Sequence, residues 1–193
     1  ADRIGVVSAS GTIVTADRLM MLFARELLSR HPGADVVFDV KCSRDLPAVV
    51  TQSGGRPIMC RSGHSWIKER MKESGALLGG EFTGHICFRD RWFGFDDALY
   101  CAARLLEILA TENRSLDELL DELPRSVATP EIRIEVDEER KFALMNSIAA
   151  GFTLEGARLS QIDGIRAEFP DGWGLVRASN TSAALICRFE GRD

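Results

Sequence analysis

A carboxylate, a hydroxyl and an imidazole occupy alternate positions of one glycine-rich stretch, as Glu81, Thr83 and His85 within residues 79–85. Alternate side chains of an extended segment point to the same face, so these three groups are predicted to face one ligand. A carboxylate accepts hydrogen bonds and a hydroxyl donates or accepts them, a combination suited to the hydroxyl groups of a sugar. The alternative interpretation is a hairpin corner in which Glu81 and His85 are solvated.

A second polar stretch, residues 177–182, has a composition suited to phosphate. Arg177 contributes a guanidinium, whereas Ser179, Asn180 and Thr181 contribute short neutral hydrogen-bonding groups on one predicted loop. A phosphate group is bound well by a fork of charged donors with neutral donors beside it. A polar hairpin turn is the alternative, and the residue types alone favour neither interpretation.

Two of the three histidines and one lysine are further candidates for handling charge or protons. His64 and His85 each follow a glycine in predicted loops, where at least one of them is expected to handle protons or phosphate. Lys41 follows a predicted buried strand, and ligands of open α/β sheets bind beyond the carboxyl ends of the strands. The alternative for Lys41 is a solvated side chain.

The composition is that of an ordinary globular protein. The 193 residues are enough for one large or two small domains, with 45% hydrophobic and 27% charged residues. A formal net charge of -5 argues against a general nucleic-acid surface. No apolar run approaches the roughly 20 residues of a membrane span. The five cysteines are scattered and odd in number, which predicts buried, reduced thiols in a cytoplasmic protein.

The order of the predicted elements indicates the fold class. Strands alternate with helices as far as residue 110, with a helix from Ala16 to Arg30 and a strand from Arg56 to Cys60. From residue 131 onward, one predicted helix accompanies several short strands. We therefore predict a mixed-sheet three-layer α/β domain followed by a small α+β domain with an antiparallel sheet.

Five motifs in a fixed order carry a resemblance to a known family. They are Ala-Asp-Arg-Ile-Gly at 1–5, Val-Lys-Cys at 40–42, Arg-Ser-Gly-His-Ser at 61–65, Gly-Glu-Phe-Thr-Gly-His at 80–85 and Arg-Ala-Ser-Asn-Thr at 177–181. The first looks like the end of an Asp-Gly-Asp-x-Asp-Arg metal loop. Together they resemble the alpha-D-phosphohexomutases, and within these the bacterial phosphomannomutase/phosphoglucomutases, over nearly the whole chain.

The resemblance implies an intramolecular phosphotransferase of nucleotide-sugar and polysaccharide synthesis. Such an enzyme moves a phosphoryl group between O1 and O6 of mannose or glucose phosphate, through a phosphoserine and a hexose 1,6-bisphosphate. The implied cofactors are Mg²⁺ and glucose 1,6-bisphosphate as an activator, and the implied partners are mannose and glucose 1- and 6-phosphates. Nucleic acid and membranes are not expected partners.

The resemblance also implies a role for each candidate residue. Glu81, Thr83 and His85 would bind the sugar, and the phosphate that is not transferred would be held by Arg177, Ser179, Asn180 and Thr181. Arg3, Lys41 and His64 would act at the reacting end. Asp2 would bind Mg²⁺.

The family has four domains, and this chain would supply the third and fourth. Residues 1–15 would be the end of the preceding domain with its metal loop and link, and residues 16–112 the α/β sugar-binding domain. A linker would span 113–130, and 131–193 would form a C-terminally incomplete α+β phosphate-binding domain. The phosphoserine is not in this chain, so we expect the piece alone to be inactive and to need the N-terminal half of the same enzyme. The alternative is a non-catalytic hexose-phosphate binding module.

Overall fold

The computed structural model describes residues 2–192, and the chain forms two compact units, Ala1–Pro124 and Arg125–Asp193. Among the described residues, none of the helices has the length and apolar character needed to cross a membrane.

The first unit is built on a four-stranded sheet with the strand order β4-β3-β5-β6. Strand β3 is parallel to both β4 and β5, and β6 returns antiparallel to β5. The elements in chain order are β1 (Val6–Val7), β2 (Ile13–Val14), α1 (Ala16–Arg30), β3 (Asp35–Asp39), α2 (Asp45–Gln52), β4 (Arg56–Cys60), α3 (His64–Ser74), β5 (Leu78–Gly80), β6 (Ile86–Phe88), α4 (Ala98–Glu112) and α5 (Leu116–Asp121).

Alternate residues of β3 belong to two separate cores, one on each face of the sheet. Val36 and Phe38 lie in a large core with side chains of α1, α2, α4 and α5, whereas Val37 lies in a small core with Ile67 and Met71 of α3. This division follows from the strand periodicity of two. Helices therefore cover both faces of a mixed sheet, which confirms the predicted three-layer α/β architecture.

Capping residues define two helix starts in the first unit. The Asp97 side chain accepts hydrogen bonds from the backbone N–H groups of Leu99 and Tyr100 at the start of α4. Ser115 and Glu118 form a reciprocal capping box at the start of α5. Helix α1 has the predicted bounds, because its apolar positions keep a helical spacing up to the His-Pro-Gly stop at 31–33.

The second unit is an antiparallel sheet with the order β7-β12-β11-β10-β9, in which β8 also pairs with β12. Its elements are β7 (Val127–Ala128), β8 (Ile132–Glu135), α6 (Lys141–Gly151), β9 (Arg158–Ser160), β10 (Ile165–Phe169), β11 (Gly172–Ala178) and β12 (Ala184–Gly191). Met145 of α6 packs in a core with Ile165, Ala178 and Leu185. One helix against an antiparallel sheet confirms the predicted α+β class.

Two local expectations differ from the structure of the second unit. Strand β7 is an additional short strand. The alternation of apolar and charged residues at 131–136 predicts a half-buried strand, but β8 has four exposed residues. Strand β8 lies at the edge of the sheet. An alternating pattern indicates an apolar face but does not show that another element packs on it, and the side chains of Ile132 and Ile134 are exposed. The exact domain boundaries proposed from the sequence stay a prediction.

Candidate functional site

Residues 81–85 form the tight connection between antiparallel β5 and β6. The backbone N–H of Glu81 donates to the carbonyl of His85 at 2.9 Å, and that of Gly84 donates to the carbonyl of Glu81 at 3.0 Å. The extended segment expected here is therefore wrong, because the pairing of Gly80 with Ile86 forces the chain to turn. The hairpin corner of the alternative interpretation is present, but its solvated side chains are wrong, since Glu81 is 5% and His85 is 7% exposed.

The Glu81 carboxylate has one engaged oxygen and one unengaged oxygen. The Thr83 hydroxyl lies 3.3 Å from Oε2, whereas the buried Oε1 has no hydrogen-bond partner among the described residues. Burial, followed by the negative charge of Asp39, raises the pKa of Glu81 above its usual 4.5, and this outweighs the opposing effects of His85 and Lys41. A buried acceptor without a donor is costly, so this oxygen is suited to a ligand that brings a hydroxyl.

The two ring nitrogens of His85 have different partners. Arg3 donates from Nε to Nε2 of His85 at 2.9 Å, and Nδ1 lies 2.8 Å from Oδ2 of Asp96. Because an arginine nitrogen only donates, Nε2 accepts, and the network assigns the ring proton to Nδ1. Asp96 also accepts from Lys68 at 2.9 Å. Burial would raise the pKa of Asp96, but the hydrogen bonds from Lys68 and His85 hold it at about 2.

The segment that carries Asp2 and Arg3 is attached to this hairpin. The backbone N–H of Ile4 donates to the carbonyl of Gly84 at 3.1 Å. Gly84 has a φ of +94°, and a Cβ at this position would lie 2.8 Å from the Ile4 carbonyl oxygen, so only glycine permits the approach. Arg3 and Ile4 are therefore held against the hairpin.

Ligand atoms of Asp2, His85 and Asp96 lie within 4.8 Å of one another. Mg²⁺ prefers oxygen ligands, and the exposed Asp2 carboxylate has this character. His85 instead uses both nitrogens for Arg3 and Asp96. The donors thus fit Asp2 as one ligand of a magnesium ion, with His85 outside the ligand set.

Lys41 lies two residues beyond the end of β3 and is buried. Its Nζ is 4.0 Å from Oδ2 of Asp39 and 5.9 Å from the centre of the Phe82 ring. The solvated lysine of the alternative interpretation is therefore wrong. Asp39 is fully buried, and the sequence offers no sign of its role because it reads as part of an apolar strand.

His64 is the first residue of α3 and not a loop residue, which corrects the expectation for this histidine. Its exposed ring stacks on that of His85, with ring centres 5.2 Å apart and planes inclined by 30°. The helix begins directly after Gly63. The first unit thus groups the candidates Arg3, Lys41, His64, Glu81, Thr83 and His85 around the ends of β3, β4 and β5.

Arg177 occupies the end of β11 and is 4% exposed. Its Nε donates to Oδ2 of Asp163 at 2.9 Å, and its Nη2 is buried without a hydrogen-bond partner in the described chain. Gly164 follows Asp163 with a φ of +77°, and a Cβ there would lie 2.2 Å from the Val176 carbonyl oxygen. The turn therefore fits under β11 and holds the guanidinium in one orientation.

Residues 179–183 connect β11 to β12 and form a loop with its own hydrogen bonds. Oγ of Ser179 accepts from the backbone N–H of Thr181 at 3.3 Å and lies 2.8 Å from the Ser182 hydroxyl. Ser179 is buried, whereas Asn180 and Thr181 are exposed at the tip. The polar hairpin of the alternative interpretation is therefore present, with Asn180 and Thr181 exposed and Ser179 buried.

Lys141 and Asp163 are residues of the second unit that sequence reasoning missed. Lys141 is fully buried, and its Nζ donates to the Ser182 carbonyl at 3.0 Å and to Oε1 of Glu138 at 2.6 Å. The Asp-Gly pair at 163–164 is a turn signal that could have marked Asp163. Lys141 has no such signal, because a lysine at a helix start reads as solvated.

Comparison with known proteins places this chain. Residues 15–127 match the family described as phosphoglucomutase/phosphomannomutase, alpha/beta/alpha domain III, and residues 131–193 match phosphoglucomutase/phosphomannomutase, C-terminal domain. The phosphomannomutase/phosphoglucomutase of Pseudomonas aeruginosa is 51% identical over 189 residues, which cover 98% of this chain and 41% of that protein.

Solved structures agree with these matches. A phosphoglucomutase/phosphomannomutase family protein of Burkholderia thailandensis aligns with a TM-score of 0.92 and 47% identity over 100% of this chain and 41% of that one. Two structures of N-acetylphosphoglucosamine mutase from Aspergillus fumigatus, one with GlcNAc-6P and magnesium and one with glucose 1,6-bisphosphate, have TM-scores of 0.67 and 0.64. At 14% and 15% identity, over 47% and 43% of their chains and 100% of this one, they show a shared fold.

The chain spans 41% of the length of the Pseudomonas relative. The two family matches together cover most of its residues, in the order that the sequence motifs predicted. The chain belongs to the phosphoglucomutase/phosphomannomutase family.

Proposed function

We propose that the protein carrying this chain is a phosphohexomutase that moves a phosphoryl group between O1 and O6 of mannose or glucose phosphate. A phosphoserine supplied by the rest of the protein would donate the group and be restored through a hexose 1,6-bisphosphate. The observation that carries the proposal is the buried Glu81 oxygen, beside the Thr83 hydroxyl, that receives no hydrogen bond from the part of the chain that the structure describes. A carboxylate oxygen of this kind is suited to a sugar whose hydroxyl groups donate to it.

The residues of the first unit would orient the sugar and balance charge at the reacting end. Glu81 and Thr83 would bind adjacent hydroxyls, with His85 next to them. Lys41 contributes a positive charge inside the fold, and Arg3 contributes a guanidinium beside His85. Phosphoryl transfer depends mainly on positioning and electrostatic stabilisation, which are what these groups can supply.

The residues of the second unit would hold the phosphate that is not transferred. Arg177 has a buried Nη2 without a hydrogen-bond partner in residues 2–192, and Asn180 and Thr181 lie at the exposed loop tip beside Ser179. A guanidinium held by Asp163 keeps its remaining donors ready for an anion. Such a grip accepts either end of the hexose, which a reversible exchange between O1 and O6 requires.

Mg²⁺ and an activating hexose bisphosphate complete the proposal. Asp2 would be one carboxylate ligand of Mg²⁺, which when bound neutralises charge on the phosphoryl group. The Aspergillus fumigatus mutase binds magnesium in one structure and glucose 1,6-bisphosphate in another, which supports both cofactors by analogy.

Steady-state kinetics of the full-length protein test the proposal with glucose 1-phosphate and mannose 1-phosphate. Glu81→Ala is expected to raise KM and lower kcat, whereas Arg177→Ala is expected mainly to raise KM. Arg158→Ala is the matched control, because this arginine of the same unit has an 84% exposed side chain. Wild-type kinetics in both site variants would contradict the assignment of these residues, and a wild-type protein without mutase turnover would contradict the proposed function.

A further inference from the structure

Asp39 is a fully buried carboxylate at the carboxyl end of β3, after three apolar residues that lie in the two cores. Burying a charge is costly unless donors surround it. The free-energy cost of burying Asp39 must therefore be offset by the groups that it contacts.

The partners of Asp39 come from three different segments of the chain. Its Oδ2 accepts a hydrogen bond from the Ser62 hydroxyl at 2.6 Å, and its Oδ1 accepts from the backbone N–H of Phe82 at 3.1 Å. The Cys42 thiol lies 3.1 Å from Oδ1, and the Lys41 Nζ lies 4.0 Å from Oδ2. Each segment includes a residue proposed to act on the substrate or lies next to one.

The sheet order explains why one residue can reach all three segments. Strand β3 lies between β4 and β5, so its end is flanked by the loop that follows β4 and by the hairpin that follows β5. Ser62 lies two residues before His64, and Phe82 lies between Glu81 and Thr83. A carboxylate at the end of β4 or of β5 would lie on one side of β3 only, next to one of these two segments and not the other.

We propose that Asp39 is a positioning residue that holds the loop leading into His64, the Glu81–Thr83 hairpin and Lys41 in position for the substrate. This inference rests on the proposed function for its kinetic consequence, but its structural consequence is independent of activity. Asp39 acts through these neighbours and is not itself assigned a contact with substrate.

The charge of Asp39 adds a second, measurable effect. Glu81 faces the charged or titratable groups of Asp39, His85 and Lys41 and accepts a hydrogen bond from the Thr83 hydroxyl. The pKa of Glu81 is raised first by burial and second by the negative charge of Asp39. Asp39→Asn removes this charge. The acid limb of the pH profile that reports Glu81 should therefore move to lower pH in the variant, a change that a role in packing alone would not produce.

The test compares Asp39→Asn with Asp35→Asn in the full-length protein. Asp35 is the same residue type at the opposite end of the same strand, also buried, and its partner is the exposed Arg56. We expect hydrogen exchange in peptides covering 61–65 and 81–85 to accelerate together by about tenfold in Asp39→Asn and to stay unchanged in Asp35→Asn. The value of kcat/KM should fall about 10- to 100-fold only in the first variant.

Ser62→Ala is a milder second variant in case Asp39→Asn does not fold. It removes one donor to Asp39, so exchange should accelerate at 61–65, and kcat/KM should fall by about threefold. Unchanged hydrogen exchange of both peptides in Asp39→Asn, or equal effects of Asp39→Asn and Asp35→Asn, would overturn the inference. If only Ser62→Ala folds, unchanged exchange of the 61–65 peptide would overturn it. Coupled exchange in a protein without mutase activity would uphold the inference while removing the proposed function.

Discussion

Arg3 donates a hydrogen bond from its Nε to Nε2 of His85 at 2.9 Å, across 82 positions of sequence. This contact leaves Nδ1 of the same ring to bond Asp96, which in turn bonds Lys68. The imidazole is therefore held at both nitrogens, in one tautomer and one orientation. The same contact attaches residue 3 to the hairpin that carries Glu81.

The first prediction concerns Asp96, whose carboxylate holds the His85 ring. Asp96→Asn in the full-length protein should lower kcat/KM by about tenfold, because the amide loses the ion pair with Lys68 and holds the imidazole less firmly. Asp97→Asn is the matched control, since asparagine caps a helix nearly as well as aspartate and the α4 cap should persist. Equal kinetic losses in the two variants would contradict this role of Asp96.

The second prediction concerns Asp90, which joins α1 to α4. Its carboxylate contacts Arg30 at 2.5 Å, Arg104 at 3.2 Å and His31 at 3.1 Å. Burial opposes ionisation, but the hydrogen bond and charge of Arg30, followed by the charge of Arg104, hold the pKa of Asp90 at about 2. Because the folded pKa lies below the usual 3.8, this stabilisation is present above pH 4 and is lost as the pH falls towards 2.

Asp90→Asn should therefore destabilise the first unit by about 3 kcal/mol at pH 7 and remove this pH dependence below pH 4. Urea unfolding at a series of pH values measures both effects. Glu73→Gln, which removes an exposed carboxylate of α3, should change the free energy of unfolding by less than about 0.5 kcal/mol. A variant that follows the wild-type pH curve would show that Asp90 is not the titrating group.

The third prediction is that Glu81 reduces stability at neutral pH. Its pKa is raised by burial and by Asp39, so the ionised form is disfavoured in the folded state. The stability contributed by protonated Glu81 is present below the usual pKa of 4.5 and is lost as the pH rises through the folded value. Glu81→Gln should raise the thermal midpoint at pH 7 but not at pH 4, whereas the exposed Glu69→Gln should change neither. A lower midpoint at pH 7 would contradict the sign of this effect.

The fourth prediction separates backbone strain from close contact at Gly84. Gly84→Ala should cost about 3 kcal/mol and release the Arg3 segment, because the new Cβ meets the Ile4 carbonyl. Gly11→Ala is the matched control, since Gly11 has a similar φ of +84° and no atom of the described residues lies within 4 Å of the added Cβ. This substitution should cost about 1 kcal/mol. Denaturant unfolding measures the difference, and equal costs would exclude the contact with Ile4 as its source.

The fifth prediction concerns Lys141, which holds the carbonyl of Ser182. Lys141→Met should loosen residues 179–183 and raise KM for the hexose phosphate about tenfold, with kcat within about twofold of wild type. Arg140→Met, which changes the neighbouring residue with an 82% exposed side chain, should leave KM unchanged. Equal KM values for the two variants would remove Lys141 from the support of this loop.

Local patterns in the sequence were sufficient for the fold class and for several element bounds. The α1 helix and the β4 strand have the predicted bounds, because apolar spacing and glycine or proline stops are properties of neighbouring residues. The candidates Glu81, Thr83 and Arg177 were found through residue type and motif order, which also led to the correct family.

Only the tertiary structure revealed the residues that support these candidates. Asp39, Asp96, Lys68, Asp163 and Lys141 contact the candidates, residues next to the candidates or one another, across 2 to 43 positions of sequence. In the sequence, Asp39 has the pattern of a strand residue, and Asp96 and Asp97 are equivalent candidates for the cap of the helix that follows. The burial and the hydrogen-bond partners of these residues depend on tertiary contacts between distant segments. The spacing of residues within one segment does not predict such contacts.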